Sequence, residues 1–263
     1  MSALQTDLLD VRATWERRLP ITIARLREHE PPDGYILAYS GGKDSDVLLS
    51  LARLAGVRYE AHYHATTIDP PEVVRHVREQ DGVIIDRPKL SMVELIRRNG
   101  LPSRWRRWCC RKLKERVHPG RTVLTGIRGA ESSRRAMRSM VEVSRRGKSQ
   151  RFLHPMFDWS DADLWGYIED MDIQLVGLYA EGRKRVGCVL CPLNPTPGDA
   201  ERWPHIASAM RRAWLRFCDE RRPDLRPDAE ATWDRWICTG RATQEPEVDD
   251  GCPLFADVRD EVD

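Results

Sequence analysis

The sequence predicts an α/β fold with a mainly parallel sheet and helices on both faces. Between residues 35 and 126, apolar strand-like segments alternate with amphipathic helix-like segments. Helical connections of that length join parallel strands, because each crossover has to return the chain to the same edge of the sheet. A glycine-bearing turn also joins the first strand to its helix at residues 40–45. In sheets of this kind, ligands bind where such turns follow the carboxyl ends of strands.

The individual elements follow from hydrophobic periodicity, taken in chain order. Apolar residues recur every three to four positions through residues 1–30, which predicts a helix that ends at Pro31 and Pro32. Strands are expected at 35–40, 57–64, 83–86 and 122–125, and helices at 46–55, 70–80, 91–99 and 109–116. Further helices are expected at 160–171, with Ser160 as the N-cap, and at 199–222.

These elements divide the chain into three segments. Residues 1–32 form a helical N-terminal segment, residues 33–195 carry the alternating strands and helices, and residues 196–263 form a helical C-terminal segment with an acidic tail. Beyond residue 126 the alternation weakens, and residues 128–151 are polar and rich in arginine. No internal repeat is visible. The expected architecture is one α/β domain with a helical C-terminal elaboration.

The composition is that of a soluble, cytoplasmic protein. The 263 residues are 41% hydrophobic and 32% charged. No apolar run approaches the length of a membrane span, so no membrane partner is expected. The N-terminus carries Asp7, Asp10 and Glu16 and lacks the basic-then-apolar order of a signal peptide.

Charge is strongly segregated along the chain, although the net charge is only +2. Residues 97–151 hold 18 Lys/Arg but only three acidic residues, whereas the segment from Asp219 to the end holds 14 acidic and six basic residues. The basic segment favours a polyanion or a phosphorylated small molecule as partner. The acidic segment is expected either to be partly disordered or to fold back over the basic face.

Residues 40–45 are a candidate phosphate site. A turn between a strand end and a helix N-terminus gathers unpaired backbone N–H groups and the positive end of the helix dipole. Glycines let the backbone approach an anion closely, and lysine and serine side chains add a charge and hydroxyl donors. The residues are Ser40, Gly41, Gly42, Lys43, Asp44 and Ser45. Their spacing does not match a Walker A loop.

Four of the seven cysteines form a candidate metal site. Cys109 and Cys110 are adjacent, and Cys188 and Cys191 form a C-x-x-C pair. Cysteines of cytosolic proteins more often serve metal or redox chemistry than disulfides. Four thiolates suit either zinc or a 4Fe-4S cluster. Adjacent cysteines diverge in direction, which favours the larger cluster over a single zinc ion.

Four motifs together resemble the phosphoadenosine phosphosulfate (PAPS) reductase family of the PP-loop superfamily. They are residues 40–45 (SGGKDS), 108–114 (WCCRKLK), 125–134 (TGIRGAESSR) and 187–192 (GCVLCP). The resemblance covers roughly residues 33–195 and implies a Rossmann-like adenine nucleotide alpha-hydrolase fold. It is strongest with the iron-sulfur branch: the adenylyl-sulfate (APS) reductases and the sulfur-transfer component of DNA phosphorothioation.

Two departures from the reductase pattern bear on the reaction. Reductases of this family typically lack the Lys and Asp of the loop, yet Lys43 and Asp44 are both present here. The reductases also end in a Glu-Cys-Gly-Leu-His segment, of which Cys252 is at best a remote counterpart. The resemblance therefore implies an adenylating ATP pyrophosphatase with a sulfur-transfer role. A thiol-dependent APS or PAPS reductase that releases sulfite, through Cys252 or Cys238, is the alternative.

The resemblance also implies roles for particular residues. Residues 40–45 would hold the β,γ-phosphates of ATP, and Asp44 would bind Mg²⁺. Arg128 and Arg134 would stabilise charge at the α-phosphate. The four cysteines would hold the 4Fe-4S cluster, or zinc in its place, which either delivers sulfide or orders the basic strip nearby.

A third interpretation is a non-catalytic, nucleotide-sensing subunit that binds nucleic acid. Trp105 and Trp108 alternate with arginines, as in surfaces that stack on bases and neutralise phosphates. The same pattern fits a helix whose tryptophans enter the core. Nucleic acid is thus a candidate partner of residues 97–151, and a sulfur-donor protein such as a cysteine desulfurase is another. The histidines show no ligand spacing.

Overall fold

The computed structural model describes residues 3–115, 118–144 and 149–241, with side chains from Trp15 onward. Cys252 and the rest of the predicted acidic tail beyond residue 241 lie outside this range.

Six strands form one sheet in the order β3-β2-β1-β4-β6-β5. All neighbours are parallel except β5 and β6, which are antiparallel. The predicted α/β class with a mainly parallel sheet is therefore confirmed. The strands are β1 (Tyr35–Tyr39), β2 (Tyr59–His64), β3 (Val83–Asp86), β4 (Thr122–Leu124), β5 (Val141–Val143) and β6 (Arg151–Leu153).

The strand order creates a switch point between β1 and β4. From β1 the chain proceeds through β2 to β3 on one side, whereas β4 pairs with the other side of β1. The loops that follow β1 and β4 therefore leave the sheet in opposite directions and open a crevice at its carboxyl edge. Ligands of open α/β sheets bind in this crevice. Residues 40–45 and Gly126 lie there.

Ten α-helices surround the sheet in the described part of the chain. Two groups pack together: α1, α2 and α7 in one, and α4, α9 and α10 in the other. The helices are α1 (Ala3–Glu28), α2 (Lys43–Ala55), α3 (Pro71–Glu79), α4 (Met92–Asn99), α5 (Trp108–Leu113), α6 (Ser133–Ala136), α7 (Asp161–Asp170), α8 (Asp199–Arg202), α9 (Pro204–Arg221) and α10 (Ala229–Thr239). None of the helices described is long and apolar enough to span a membrane.

Local sequence signals account for most helix ends. Ser160 caps α7 as expected, because its hydroxyl accepts a hydrogen bond from the Asp163 amide at 3.0 Å. Gly56 ends α2 in the left-handed conformation, with φ 68°. The predicted strands and helices up to residue 125 are all present, with boundaries shifted by a few residues.

The prediction of one helix over residues 199–222 was wrong. Trp203 adopts a non-helical conformation (φ −123°, ψ 63°) between α8 and α9. Pro204 explains the break, because proline disfavours helical geometry in the preceding residue and suits the first turn of a new helix. Strand β5, strand β6 and helix α10 were not predicted from the sequence; the two strands lie within residues 141–153.

The C-terminal segment is anchored in the core by α10. The Trp236 indole is 1% exposed and donates a hydrogen bond from Nε1 to the Pro102 carbonyl at 2.6 Å. Arg97 also pairs with Glu220 of α9 at 2.9 Å. This part of the acidic segment thus folds back onto the start of the basic one.

Candidate functional site

The loop at residues 40–45 is closed around one hydroxyl group. Ser45 Oγ accepts hydrogen bonds from the amides of Ser40 and Gly42, both at 3.2 Å, and donates to the Gly42 carbonyl at 2.8 Å. Gly41 has φ +70°, and a Cβ there would meet Val73 and Val77 at 3.0 Å. Only glycine fits this position, so the loop follows a fixed path above the α2 N-terminus.

Lys43 and Asp44 form an ion pair at the mouth of the loop. Lys43 Nζ lies 3.1 Å from Asp44 Oδ2, and the Lys43 amide donates to the Tyr179 hydroxyl at 3.0 Å. The ammonium also lies 5.8 Å from the centre of the Tyr179 ring. Tyr179 therefore covers the start of α2 and helps to hold the lysine.

Arg128 supports the loop from behind. The side chain is 1% exposed, and its Nε and Nη2 atoms donate to Asp44 Oδ1 at 2.8 Å and Asp161 Oδ1 at 2.7 Å. Burial alone raises the pKa of Asp44, but the hydrogen bonds and charges of Arg128 and Lys43 outweigh it, so the net pKa is lowered. Asp44 is thus held as an anion.

A cleft of about 170 Å³ opens above the loop, and we call it the nucleotide-loop cleft. Lining residues from four parts of the chain converge on it: Ser40, Gly42, Lys43, Asp44, Ser45, Gly126, Glu131, Arg135, Tyr179 and Arg185. Gly126 follows β4, and a Cβ on it would lie 2.7 Å from the Asp44 carbonyl oxygen. The backbones after β1 and β4 therefore touch, which fixes the width of the crevice.

All four cysteines of the predicted metal site line one cavity of about 530 Å³, which we call the cysteine cavity. Cys109 and Cys110 lie in the first turn of α5. Cys188 and Cys191 flank two buried residues, Val189 and Leu190, in a loop tied to Ile68 by a 2.9 Å backbone hydrogen bond. The two pairs, about 80 residues apart in sequence, therefore meet in space.

Cations and hydrogen bonds in the cavity favour the thiolate form of Cys110, whereas burial raises the pKa of Cys191. A hydrogen bond from Cys109 lowers the pKa of Cys110 to about 6, assisted by Arg107, and the same contact raises the pKa of Cys109. The charge of Cys188 raises the pKa of Lys114, whose ammonium also hydrogen-bonds that sulfur. Soft sulfur donors with cations beside them fit a tetrathiolate centre, either an iron-sulfur cluster or zinc.

The nucleotide-loop cleft and the cysteine cavity share a wall. Arg135, Arg185 and Val186 line both. Arg135 is partly buried and pairs with Glu131. The two guanidinium groups thus lie between the loop at residues 40–45 and the four sulfurs.

The other predicted residues lie in varied places. Arg128 contacts Asp44 but does not line the cleft, and Arg134 is exposed and lines the cysteine cavity. Trp108 is in the core with 5% exposure, whereas Trp105 is 51% exposed. Cys218 is buried and Cys238 exposed.

Of four further residues of the site, two lie within or beside the predicted motifs, and two were not singled out from the sequence. Lys114 lies four positions after Cys110 in a visibly basic helix, which is a weak signal. Arg135 adjoins the predicted Arg134. Tyr179 and Arg185 come from a loop without regular structure, and no pattern in the sequence marks them.

The family model for the phosphoadenosine phosphosulfate reductase domain matches residues 34–194, and the chain therefore belongs to this family of the PP-loop superfamily. That match was expected from the four motifs.

Curated relatives share only part of their length with the chain. Uncharacterized protein MJ0066 of Methanocaldococcus jannaschii is 29% identical over 171 residues, which are 60% of this chain and 36% of that protein. Adenosine 5'-phosphosulfate reductase of Staphylococcus epidermidis is 26% identical over 59% of this chain and 69% of its own length. The chain thus spans little more than a third of the first relative.

Two solved structures align with the chain at low sequence identity. A mutant FMN adenylyltransferase of Candida glabrata aligns with a TM-score of 0.50 and 16% identity over 67% of this chain and 63% of its own. Phosphoadenylyl-sulfate reductase of Candida auris aligns with a TM-score of 0.49 and 21% identity over 72% of this chain and 96% of its own.

Proposed function

We propose that the protein is an ATP-cleaving, adenylating sulfur-transfer enzyme that carries a 4Fe-4S cluster on Cys109, Cys110, Cys188 and Cys191. The observation that carries the proposal is the shared wall between the nucleotide-loop cleft and the cysteine cavity, with an intact Lys43–Asp44 pair at the loop. A nucleotide in the cleft and a sulfur species at the cysteines would meet across Arg135 and Arg185.

The loop would bind the β,γ-phosphates of ATP through its backbone amides and Lys43. When the phosphates arrive, the Lys43 ammonium can turn from Asp44 towards them, which frees Asp44 Oδ2 for Mg²⁺. Arg128 keeps Asp44 ionised throughout. This gives Arg128 a positioning role in place of the direct α-phosphate contact expected from the sequence.

The first chemical step would form an adenylate. An acceptor oxygen would attack the α-phosphorus, the bond to the β-phosphate oxygen would break, and pyrophosphate would leave with its charge stabilised by the loop amides and Lys43. Arg135 and Arg185, which line the cleft, would neutralise the α-phosphate oxygens. A sulfur nucleophile at the sulfide level then displaces AMP, so that no net electrons are needed. A 4Fe-4S cluster would supply either sulfide binding or a fixed electrostatic field beside the nucleotide.

The acceptor and the sulfur donor are proposed from surface chemistry. Trp105, half-exposed between Arg104 and Arg106, offers an aromatic face and positive charge to a nucleic acid. A cysteine desulfurase would supply this sulfur as a persulfide, and two thiol equivalents would reduce it to the sulfide level and leave as a disulfide. The site of action would be the cytoplasm.

A second candidate, a thiol-dependent reductase of APS or PAPS, is favoured by the names of several relatives. Adenosine 5'-phosphosulfate reductase of Mycobacterium tuberculosis is 31% identical over 38% of this chain and 42% of its own length. This candidate requires a cysteine nucleophile at the cleft. Cys238 is exposed on α10 and is not a lining residue of either cavity.

The two candidates are separated by their products. We expect the anaerobically purified protein to release pyrophosphate from ATP and no sulfite from APS or PAPS with thioredoxin or a dithiol. Replacing Lys43 with Ala should reduce pyrophosphate release by about 10²-fold or more, since a preorganised charge is lost. Lys89→Ala, an exposed lysine away from the cleft, is the matched control. Sulfite release that depends on Cys238 or Cys252, without ATP cleavage, would establish the reductase instead.

A further inference from the structure

We propose that a divalent transition-metal ion of the zinc type binds at a second site, the histidine site, formed by His62, His64 and Asp86. One ligand atom from each of these residues lies within 4.8 Å of the others. None of the three lines the nucleotide-loop cleft or the cysteine cavity. The site is therefore distinct from the one to which the proposed function belongs.

The sheet brings the three residues together. His62 and His64 are two positions apart on β2, so both side chains project from the same face. Asp86 ends β3 and is paired in register with His64. The imidazoles are 14% and 13% exposed and the carboxylate 21%. The arrangement is thus mostly buried and rests on regular structure.

The hydrogen bond of His64 determines which ring nitrogen faces Asp86. Nδ1 lies 2.8 Å from the Lys114 carbonyl oxygen, which can only accept, so Nδ1 carries the proton. Nε2 lies 3.4 Å from Asp86 Oδ2. In the neutral ring, Nε2 then carries the lone pair that can bind a metal ion beside the carboxylate. Histidine ligands of metals are commonly held by such a backbone contact.

His62 supplies a second imidazole to the same carboxylate. Its Nδ1 lies 2.7 Å from Asp86 Oδ2, and its Nε2 is buried and makes no hydrogen bond within the described part of the chain. Glu60 Oε2 is 3.8 Å from that Nε2. A buried ring nitrogen without a hydrogen bond costs free energy, which coordination to an ion would offset.

The donor set and spacing indicate the class of ion. Bonds of about 2.0–2.2 Å in tetrahedral geometry place ligand atoms about 3.3 Å apart, close to the 3.4 Å between His64 Nε2 and Asp86 Oδ2. Rotation of a histidine ring about its broad χ2 torsion can close the longer separations. Two imidazoles and one carboxylate suit Zn²⁺ or Co²⁺ better than Mg²⁺ or Ca²⁺.

The surroundings leave room for a fourth ligand. The His118 ring centre lies 5.9 Å from that of His62 and 6.2 Å from that of His64. Glu60 and Arg121 form an ion pair at 3.0 Å. Their charges cancel, so this pair does not repel a cation. Water or His118 can complete the coordination.

An ion here would also stabilise the path of α5 into its following loop. It would hold His64 in the orientation that binds the Lys114 carbonyl, and the Lys114 ammonium contacts Cys188. Lys114 thus connects the two sites: its backbone carbonyl binds His64 of the histidine site, and its ammonium contacts Cys188 in the cysteine cavity.

Cobalt titration of the full chain tests the proposal. We expect one Co²⁺ per chain with d–d absorption and without the intense thiolate-to-cobalt bands that the cysteines would produce. Asp86→Asn, an isosteric change, and His62→Gln should each weaken this binding by about tenfold or more. His205→Ala, an exposed histidine, is the matched control and should bind cobalt as the wild type does.

A second readout keeps the test decisive if one variant folds poorly. Zinc should raise the thermal midpoint of the wild type and of His205→Ala, and should shift the imidazole NMR signals of His64. Cobalt bound only with thiolate bands, or equally well by Asp86→Asn, would overturn the proposal. So would a His64 ring that is doubly protonated at neutral pH and unaffected by zinc, because the second proton would occupy the ligand atom Nε2.

Discussion

At the residue scale, Arg128 shows how a buried cation can support the loop at residues 40–45 without lining the cleft above it. Its guanidinium bridges Asp44 and Asp161 and reaches the Trp159 carbonyl at 3.3 Å. A lysine lacks the planar fork that directs separate N–H groups at the two carboxylates. The sequence marked Arg128 as important but suggested direct phosphate contact, because an arginine's partners cannot be known before the loop containing it is placed against α2.

Replacing Arg128 with Lys should shift the acid limb of the pH–rate profile for the proposed ATP cleavage. Arg128 lowers the pKa of Asp44, so weakening that contact raises the pKa and protonates Asp44 at a higher pH. We expect about a tenfold or greater loss of turnover and an acid limb displaced to higher pH in a pH–rate profile. Arg97→Lys, a surface arginine paired with Glu220, is the control. An unshifted acid limb would contradict the positioning role.

At the element scale, the close approach of the loops after β1 and β4 defines the cleft. Gly126 leaves no space for a side chain beside the Asp44 backbone. The strand order that brings these loops together was not evident in the sequence, although strand and helix identities were. Pairing of β1 with both β2 and β4 depends on long-range contacts that periodicity does not encode.

Replacing Gly126 with Ala should displace the start of α2. A Cβ 2.7 Å from the Asp44 carbonyl oxygen forces one of the two loops to move, and displacements of about 1 Å cost about 10²-fold in rate. We expect pyrophosphate release to fall by that order, measured at saturating ATP, while circular dichroism stays that of the wild type. Gly177→Ala, where nothing lies within 4 Å of the new Cβ, should retain activity. Full activity in Gly126→Ala would show that the cleft tolerates this shift.

At the scale of the whole molecule, the C-terminal helices complete the core beside the basic segment. Trp236 anchors α10 against Pro102, and Trp214 donates from Nε1 to the Ala229 carbonyl at 2.8 Å. Helix α9 was predicted approximately from the sequence, whereas α10 was not. The acidic, proline-flanked surroundings of α10 indicate a tail rather than a packed helix. The sequence predicted that the four cysteines meet, because two thiol pairs indicate a common metal centre even when the fold between them is unknown.

Truncating Trp236 to Ala should destabilise the whole domain. Loss of a buried indole typically costs about 3–5 kcal/mol, and the Pro102 carbonyl would also lose its partner. We expect a decrease of that size in the free energy of unfolding by urea. Trp105→Ala, at a position 51% exposed, should change it by less than about 0.5 kcal/mol. Equal effects in both variants would mean that α10 does not belong to the cooperative core.

The iron and acid-labile sulfide content of anaerobically purified protein tests the proposed 4Fe-4S cluster most directly. We predict about four of each per chain in the wild type and in Cys218→Ser, whose cysteine is buried elsewhere, and nearly none in Cys188→Ser. One zinc per chain in place of iron, or an iron content unchanged by Cys188→Ser, would contradict a cluster held by the two cysteine pairs.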